Sequence, residues 1–125
     1  MKFFLDNNLG KQLADGMKGF GEEVMHLTES LSENTADIEL MEYLDENNLI
    51  LITRDEKIRW RPAEKEAFKS RKIGVFFLGG KNRKRCELIQ QLVRNWPEIK
   101  RHAQNTDRPF IFRVRPNGTK IDRIL

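Results

Sequence analysis

The sequence lacks several features on which whole classes of proteins depend. It has one cysteine, Cys86, in 125 residues, which excludes an internal disulfide and favours a reducing compartment. It contains no apolar run that approaches the ~18 residues of a membrane-spanning helix. Only three apolar residues separate Lys2 from Asp6, too few for the core of a secretory signal peptide. These absences predict a cytoplasmic protein that has no membrane partner.

Histidine is also scarce. His26 and His102 have no partner at the spacing of metal ligands, so we expect both to be structural. By the same reasoning, we expect Cys86 to be a small buried hydrophobe. Charged residues are abundant at 34%, but basic residues outnumber acidic ones by only 23 to 19. This balance permits a polyanionic partner without requiring one.

Four short apolar runs predict strands that are buried in a sheet. Leu49–Ile52 shows no polar alternation, which is typical of a central parallel strand that is covered on both faces. The runs are Lys2–Leu5, Glu23–Leu27, Leu49–Ile52 and Gly74–Leu78.

Four helices are predicted between and after these runs, from apolar residues at helical spacing and from capping signals. The expected buried stripes are Leu9, Leu13, Met17 and Phe20 in the first helix, Ile38, Met41 and Leu44 in the second, and Cys86, Ile89, Leu92, Val93 and Trp96 in the fourth. Asn34 or Thr35 is expected to cap the second helix. Pro62 would open the third, which runs to about Ser70. Pro97 is expected to break the fourth.

The last part of the chain changes character. Phe110 and Phe112 alternate with polar residues, and Asn117-Gly118 is a strong signal for a tight turn. We expect an antiparallel β-ribbon, a hairpin, over about residues 108–125.

The elements alternate as β-α-β-α-β-α-β, which favours a mainly parallel sheet with helices on both sides. We therefore expect an α/β fold of three layers, in which a mainly parallel central sheet has flanking helices and a C-terminal β-hairpin. A single domain would span residues 1–125, with its α/β body over about residues 1–105.

Three aspartates lie where this fold would bring them together. Asp6 closes the first apolar run, Asp55 follows the third, and Asp37 opens the second helix. Parallel strands would deliver Asp6 and Asp55 to the carboxyl edge of the sheet, where open α/β sheets hold their sites. Clustered carboxylates repel one another unless a cation bridges them, and oxygen ligands suit Mg²⁺ or Mn²⁺. The pattern predicts metal-dependent chemistry on phosphate, unless Asp37 is only a helix N-terminal charge and Asp55 only a turn residue.

Three segments resemble those of PIN-domain ribonucleases, and above all the compact PIN-like toxins of bacterial toxin–antitoxin pairs. They are Phe3-Phe4-Leu5-Asp6-Asn7-Asn8-Leu9, Thr35-Ala36-Asp37-Ile38-Glu39 and Leu51-Ile52-Thr53-Arg54-Asp55-Glu56-Lys57-Ile58. Each motif is short, but their order and spacing over residues 2 to about 80 are specific.

The resemblance implies a PIN-like fold and Mg²⁺- or Mn²⁺-dependent cleavage of RNA by an endoribonuclease. It also implies inhibition by a cognate antitoxin protein, and such toxins often form homodimers. At the matching positions, Asp6, Asp37 and Asp55 would be the catalytic residues and metal ligands. Thr53 would support the site by hydrogen bonding near Asp55, and Asn7 could offer a carbonyl oxygen or orient a water.

The sequence departs from the family pattern at two points. Many compact relatives carry an acid where this chain has Asn7, and the connection from Leu27 to Asp37 is too short for the middle helix that carries another acid in longer PIN domains. A replacement acid could come from Glu56, Glu64 or Glu66. These departures leave open a second hypothesis, a catalytically inactive PIN-like module that binds RNA or protein.

A third hypothesis is a phosphoryl-accepting receiver-like domain, which also places an aspartate at the end of its third strand. Such a domain requires an acidic pair after its first strand and a hydroxyl residue after its fourth. Here Asn7 follows Asp6, and Gly79-Gly80 follows the next strand, so the pattern disfavours this hypothesis.

Basic residues follow Asp55 closely. Arg54, Lys57 and Arg59 are predicted to bind the phosphates of an RNA substrate, although a solvated charged face is the alternative. A second basic group could lie on the same rim: Lys81, Arg83, Lys84 and Arg85. Trp60 could stack on an unpaired base, close over the domain as a lid, or anchor a partner protein.

Overall fold

The computed structural model describes the backbone of residues 1–55 and 62–125, and all of their side chains except those of residues 62–64. The strands in these residues are β1 (Lys2–Leu5), β2 (Val24–His26), β3 (Leu49–Thr53), β4 (Gly74–Leu78), β5 (Phe110–Val114) and β6 (Ile121–Arg123). The helices are α1 (Lys11–Gly19), α2 (Asp37–Glu46), α3 (Pro62–Ser70) and α4 (Arg85–Asn105), with a 3₁₀ turn at Leu27–Glu29.

The six strands form one sheet in the order β2-β1-β3-β4-β5-β6. All neighbours are parallel except β5 and β6, which confirms the predicted α/β fold with its mainly parallel sheet and C-terminal hairpin. The predicted hairpin is formed by β5 and β6, and its first strand also extends the parallel sheet. β5 pairs in parallel with β4, and the 21-residue α4 makes the crossover that a parallel connection needs.

Two apolar layers enclose the sheet. On one face, α1 and α4 pack on a cluster that includes Phe3, Ile50, Phe76 and Phe110. On the other face, α2 and α3 pack on Phe4 and its neighbours in β3, β4 and β5. The strands therefore read as continuous apolar runs because both of their faces are buried.

The predictions for α1 and α2 were correct in position but wrong in detail. Phe20 is 90% exposed and lies beyond the end of α1, so it does not continue the buried stripe. Ile38 is also exposed, and Leu40 takes the buried position in its place. Ala36 precedes α2 without a side-chain cap, because the Thr35 hydroxyl instead donates to the Ser32 carbonyl, at 2.6 Å.

Helix α4 continues through Pro97, contrary to the predicted break. An interior proline costs about 3 kcal/mol, but Leu92, Trp96 and Ile99 are buried around it, and each such side chain contributes about 1.5–3 kcal/mol. Burial therefore outweighs the lost hydrogen bond. Within the described residues, no helix has the length and apolar character that crossing a bilayer requires.

The buried stripe of α4 is rotated from the predicted one. Cys86, which we expected to be buried, is exposed, and so are Ile89 and Val93. Gln91 and Asn95 are buried instead. The Gln91 amide donates to the carbonyls of Gly79, Val114 and Arg115 at 3.0–3.1 Å, so it ties α4 to the carboxyl ends of β4 and β5.

The two phenylalanines Phe76 and Phe20 give a matched test of this core. Phe76 is fully buried and stacks on Phe112 at 5.4 Å between ring centroids. We expect Phe76→Ala to lower the free energy of unfolding by about 3–5 kcal/mol. Phe20→Ala should change it by no more than about 0.5 kcal/mol. Urea denaturation measures both, and similar losses for the two variants would contradict the assigned burial.

Candidate functional site

The candidate site lies at the point in the sheet where the order of the strands along the chain reverses. Chain order runs outward on both sides of the boundary between β1 and β3, which makes this boundary the topological switch point. Asp6 directly follows β1, and Asp55 comes two residues after Thr53, the last residue of β3. Open parallel sheets place their ligand crevices outside the carboxyl ends of strands at such a point. The fold therefore delivers Asp6 and Asp55 to the expected edge.

Thr53 connects the two strand ends through its hydroxyl group. This group donates a hydrogen bond to Oδ2 of Asp6 at 2.7 Å and accepts one from the backbone N–H of Asp55 at 2.9 Å. Thr53 is only 1% exposed, so the hydroxyl group is shielded from water, whereas its partners Asp6 and Asp55 are half-buried. The Asp6 carboxylate is thereby held beside the start of the loop that carries Asp55.

Asn8 completes this cluster, a role that the sequence analysis did not assign. Its amide nitrogen lies 3.3 Å from the Thr53 hydroxyl, and its amide oxygen accepts the backbone N–H of Arg54 at 3.2 Å. A threonine hydroxyl offers one donor and two acceptor positions, so the Thr53 hydroxyl is fully used. The only available signal for Asn8 was its place in the loop that follows β1.

The loop after β1 is also held in place by His26, the last residue of the neighbouring strand β2. The buried His26 ring lies 2.6 Å from the Leu9 carbonyl through Nε2 and 2.8 Å from the Thr28 hydroxyl through Nδ1. These bonds fit the expected structural role of His26. The Asn7 N–H donates to Oδ1 of Asp6 at 2.7 Å, so Asn7 reaches the Asp6 carboxylate through its backbone.

Asp37 occupies the first turn of α2, as predicted. In the described part of the chain, no three His, Cys, Asp or Glu side chains lie close enough together to hold a metal ion. Asp6, Asp37 and Asp55 therefore do not form a three-carboxylate group in this structure. Helix α2 packs on the sheet through Leu40, Met41 and Leu44, and that packing fixes where its first turn lies.

The side-chain atoms of Asp6 and Asp55 that could bind a metal ion are oxygen atoms, which suit Mg²⁺ or Mn²⁺. A carboxylate has about four acceptor positions, and protein hydrogen bonds to Asp6 use two of them. Mg²⁺ is commonly bound by one or two carboxylates and keeps several waters, so a three-carboxylate cage is not a requirement. The chemistry of Asp6 and Asp55 fits such an ion.

A cleft of about 530 Å³ runs from this edge between α1 and α4. Asn7, Asn8 and Arg54 lie on its wall, together with the exposed apolar side chains of Phe20, Ile89 and Val93. This accounts for three of the mispredicted core positions, Phe20, Ile89 and Val93, because these residues line an open groove rather than a packed interface.

Of the predicted basic rim, Arg54, Arg83 and Arg85 lie on this cleft. Arg83 is already engaged, because it donates to Glu87 and to the Pro116 carbonyl. Lys81 and Lys84 are exposed and are not among the residues that line the cleft, and Glu66 is exposed on α3. Other predictions fall on residues outside the described part of the chain: Glu56, Lys57, Arg59 and Trp60, and the side chain of Glu64.

The Thr53 hydroxyl is open to a direct test. Thr53→Val keeps the shape but leaves the Asp55 N–H and the Asp6 carboxylate without this partner, so we expect a loss of about 1–3 kcal/mol in the free energy of unfolding. The matched control is Thr119→Val at an exposed position, which should change it by less than about 0.5 kcal/mol. Equal effects in chemical denaturation would contradict the buried hydrogen bonds.

Comparison with known proteins shows the family to which the chain belongs. A search of curated proteins and a search of solved structures found no significant match. A family profile described as PIN like domain matches residues 1–80, which cover β1 to β4 and both Asp6 and Asp55. PIN domains are in general nucleases. The chain belongs to the PIN-like domain family.

Proposed function

We propose that this protein is a metal-dependent endoribonuclease that hydrolyses RNA phosphodiester bonds with Mg²⁺ or Mn²⁺. The observation that carries the proposal is the bridge from Asp6 through the Thr53 hydroxyl to the Asp55 backbone. A preorganised cation site requires ligands whose orientation is fixed. The shielded Thr53 hydroxyl orients Asp6 beside the loop that carries Asp55. Membership of the PIN-like family supports nuclease chemistry at that edge.

Asp6 and Asp55 would hold the ion, and Asp37 remains a predicted ligand. When bound, the ion would supply positive charge to the scissile phosphate and would lower the pKa of the attacking water, which makes that water a better nucleophile. Thr53 fixes the orientation of the Asp6 carboxylate, and Asn8 fixes the loop through Arg54. The Asn7 backbone holds the second oxygen of Asp6, so an acidic side chain at that position is not needed for this purpose.

Arg54 is the proposed substrate-binding residue closest in sequence to Asp55, and its side chain lines the cleft. A cation there would attract the phosphate backbone of RNA to the acidic edge and partly offset the repulsion between carboxylates and phosphate. Lys57 and Arg59 are proposed for the same role on sequence grounds.

We also propose that the protein acts as the toxin of a toxin–antitoxin pair. The groove that exposes Phe20, Ile89 and Val93 next to Asn7 offers apolar surface to a protein partner, either an antitoxin or a second copy of the chain. A small open reading frame that overlaps or abuts this gene would favour the antitoxin.

A second candidate function is an inactive PIN-like module that binds RNA or protein without turnover. It is favoured by the absence of a three-carboxylate group from the described residues. Cleavage assays separate it from the nuclease, because the inactive module would bind RNA without product under any divalent metal.

Cleavage of single-stranded RNA with Mn²⁺ tests the proposal. We expect Asp6→Asn and Asp55→Asn each to lower kcat/KM by about 100-fold or more, since removal of a ligand charge weakens transition-state stabilisation by several kcal/mol. Asp15→Asn is the control, because Asp15 is exposed on α1 and, among residues 1–55 and 65–125, its one ion pair is with Lys11. Wild-type rates in both site variants would refute the proposed site.

A further inference from the structure

One arginine of the C-terminal strands shares a row with the candidate site. Strand register pairs Thr53 with Phe77, and Phe77 with Arg113. Side chains that are paired across a sheet lie on the same face, so Arg113 lies on the Thr53 side. Two strand spacings of about 4.8 Å place its backbone about 10 Å from that of Thr53.

The Arg113 side chain extends toward the carboxyl edge of the sheet. A Cβ atom added at Gly79 would lie 2.7 Å from Cζ and Nη2 of Arg113, so the guanidinium group rests directly on the Gly79 backbone. Gly79 comes one residue after β4 ends and two residues beyond Phe77. The guanidinium group therefore reaches past the strand end, on the side where Asp6 and Asp55 emerge.

The Gly79 platform is rigid. Its N–H donates to the Val114 carbonyl at 2.9 Å, and its own carbonyl accepts the buried Gln91 amide at 3.0 Å. These bonds connect β4, β5 and α4 around the point on which the guanidinium group rests. A positively charged group held in this way is preorganised for a ligand.

Arg113 is half-buried, and its guanidinium group makes no hydrogen bond or ion pair with residues 1–55 or 62–125. Asp122 lies opposite it in the strand pair, but the Asp122 carboxylate is bound twice by Arg115, at 2.7 and 3.1 Å. Hydrogen bonding to Arg115 is the main cause of the lowered pKa of Asp122, and the charge of Arg113 makes a smaller contribution in the same direction. A cation that is partly removed from water is stabilised by an anionic partner, and an outside anion would supply one.

The neighbouring arginines are occupied or face elsewhere. Arg94 donates to the Gly118 and Pro116 carbonyls. Arg123 lies over the Phe112 ring, on the opposite face of the sheet, and donates to the Leu125 carbonyl. Arg113 differs from them by position as well as by contacts.

We infer that Arg113 binds a phosphate group of the RNA strand. This phosphate is the neighbour of the scissile phosphate, which is cut at the site formed by Asp6 and Asp55. The inference rests on the proposed nuclease function and names a substrate-binding residue beyond residues 1–80, the part that the family match covers. A guanidinium group donates two parallel hydrogen bonds to phosphate, which gives both orientation and affinity.

The test combines cleavage kinetics with RNA binding measured in EDTA, using a short single-stranded RNA. Arg113→Gln should raise KM and Kd by about 10-fold and leave kcat within about two-fold. The slope of log K against log salt should fall by about 0.7, the value for one lost phosphate contact on a single strand. Arg123→Gln removes the same charge from the same hairpin on the other face and should change KM by less than about two-fold.

Gly79→Ala gives a second, independent variant. Its Cβ would displace the guanidinium end of Arg113 without removing the charge, so we expect KM to rise by less than with Arg113→Gln and thermal stability to change little. Unchanged KM and salt slope in Arg113→Gln, with an active wild type, would overturn the inference and leave the nuclease standing. A lower Tm with the same KM would assign Arg113 a packing role and also overturn it.

An inactive wild type separates the two proposals. If it binds RNA and Arg113→Gln weakens that binding as stated, the phosphate contact stands and the nuclease fails. If it neither binds nor cleaves RNA, both fail.

Discussion

The hydrogen bond from Thr53 to Asp6 depends on the parallel pairing of β1 with β3, and the candidate site depends on that hydrogen bond. Pairing of Leu5 with Ile52 brings Asp6, the residue after β1, level with Thr53, the last residue of β3. Burial of both strands on both faces fixes this register, because a one-residue slip would turn apolar side chains away from their clusters. The geometry of the edge is thus a consequence of the core beneath it.

The C-terminal strands extend the same edge. The family match ends near β4, yet β5 continues the parallel sheet, and buried Gln91 fastens its end to that of β4. This anchorage gives Gly79 its fixed position and lets Arg113 rest on it. An acidic edge at β1 and β3 therefore continues into a cationic one at β5, an arrangement suited to a single strand of nucleic acid that lies across the sheet.

Much of this arrangement could be predicted from the sequence, because buried parallel strands leave an unambiguous signal. Uninterrupted apolar runs located β1, β3 and β4, and residues that closely follow a run lie near a strand end, which gave the positions of Asp6 and Asp55. Pro62 likewise marked the start of α3 correctly. These predictions depend on local pattern alone.

The failures arose where tertiary packing decides. Helical spacing identified α1 and α4 but could not show that Phe20, Ile89 and Val93 line an open cleft. It could not show that burial on both sides would carry α4 through Pro97 either. No pattern along the chain gives the placement of α2 either, and that placement determines where Asp37 lies relative to Asp6 and Asp55.

Asn8 and Arg113 were missed for a related reason. The contacts that distinguish them join residues far apart in sequence, Thr53 for Asn8 and Gly79 for Arg113. A polar residue in a loop and an arginine in a half-buried strand carry no such information by themselves. Only the register of the folded sheet shows that both lie at the carboxyl edge.

Anomalous X-ray diffraction from a crystal soaked in Mn²⁺ would show whether Asp6 and Asp55 hold one metal ion together. We expect an anomalous peak within about 2.5 Å of carboxylate oxygens from both Asp6 and Asp55, with the Thr53 hydroxyl still hydrogen-bonded to Asp6. A fully occupied peak elsewhere, or carboxylates too far apart to share an ion, would contradict it.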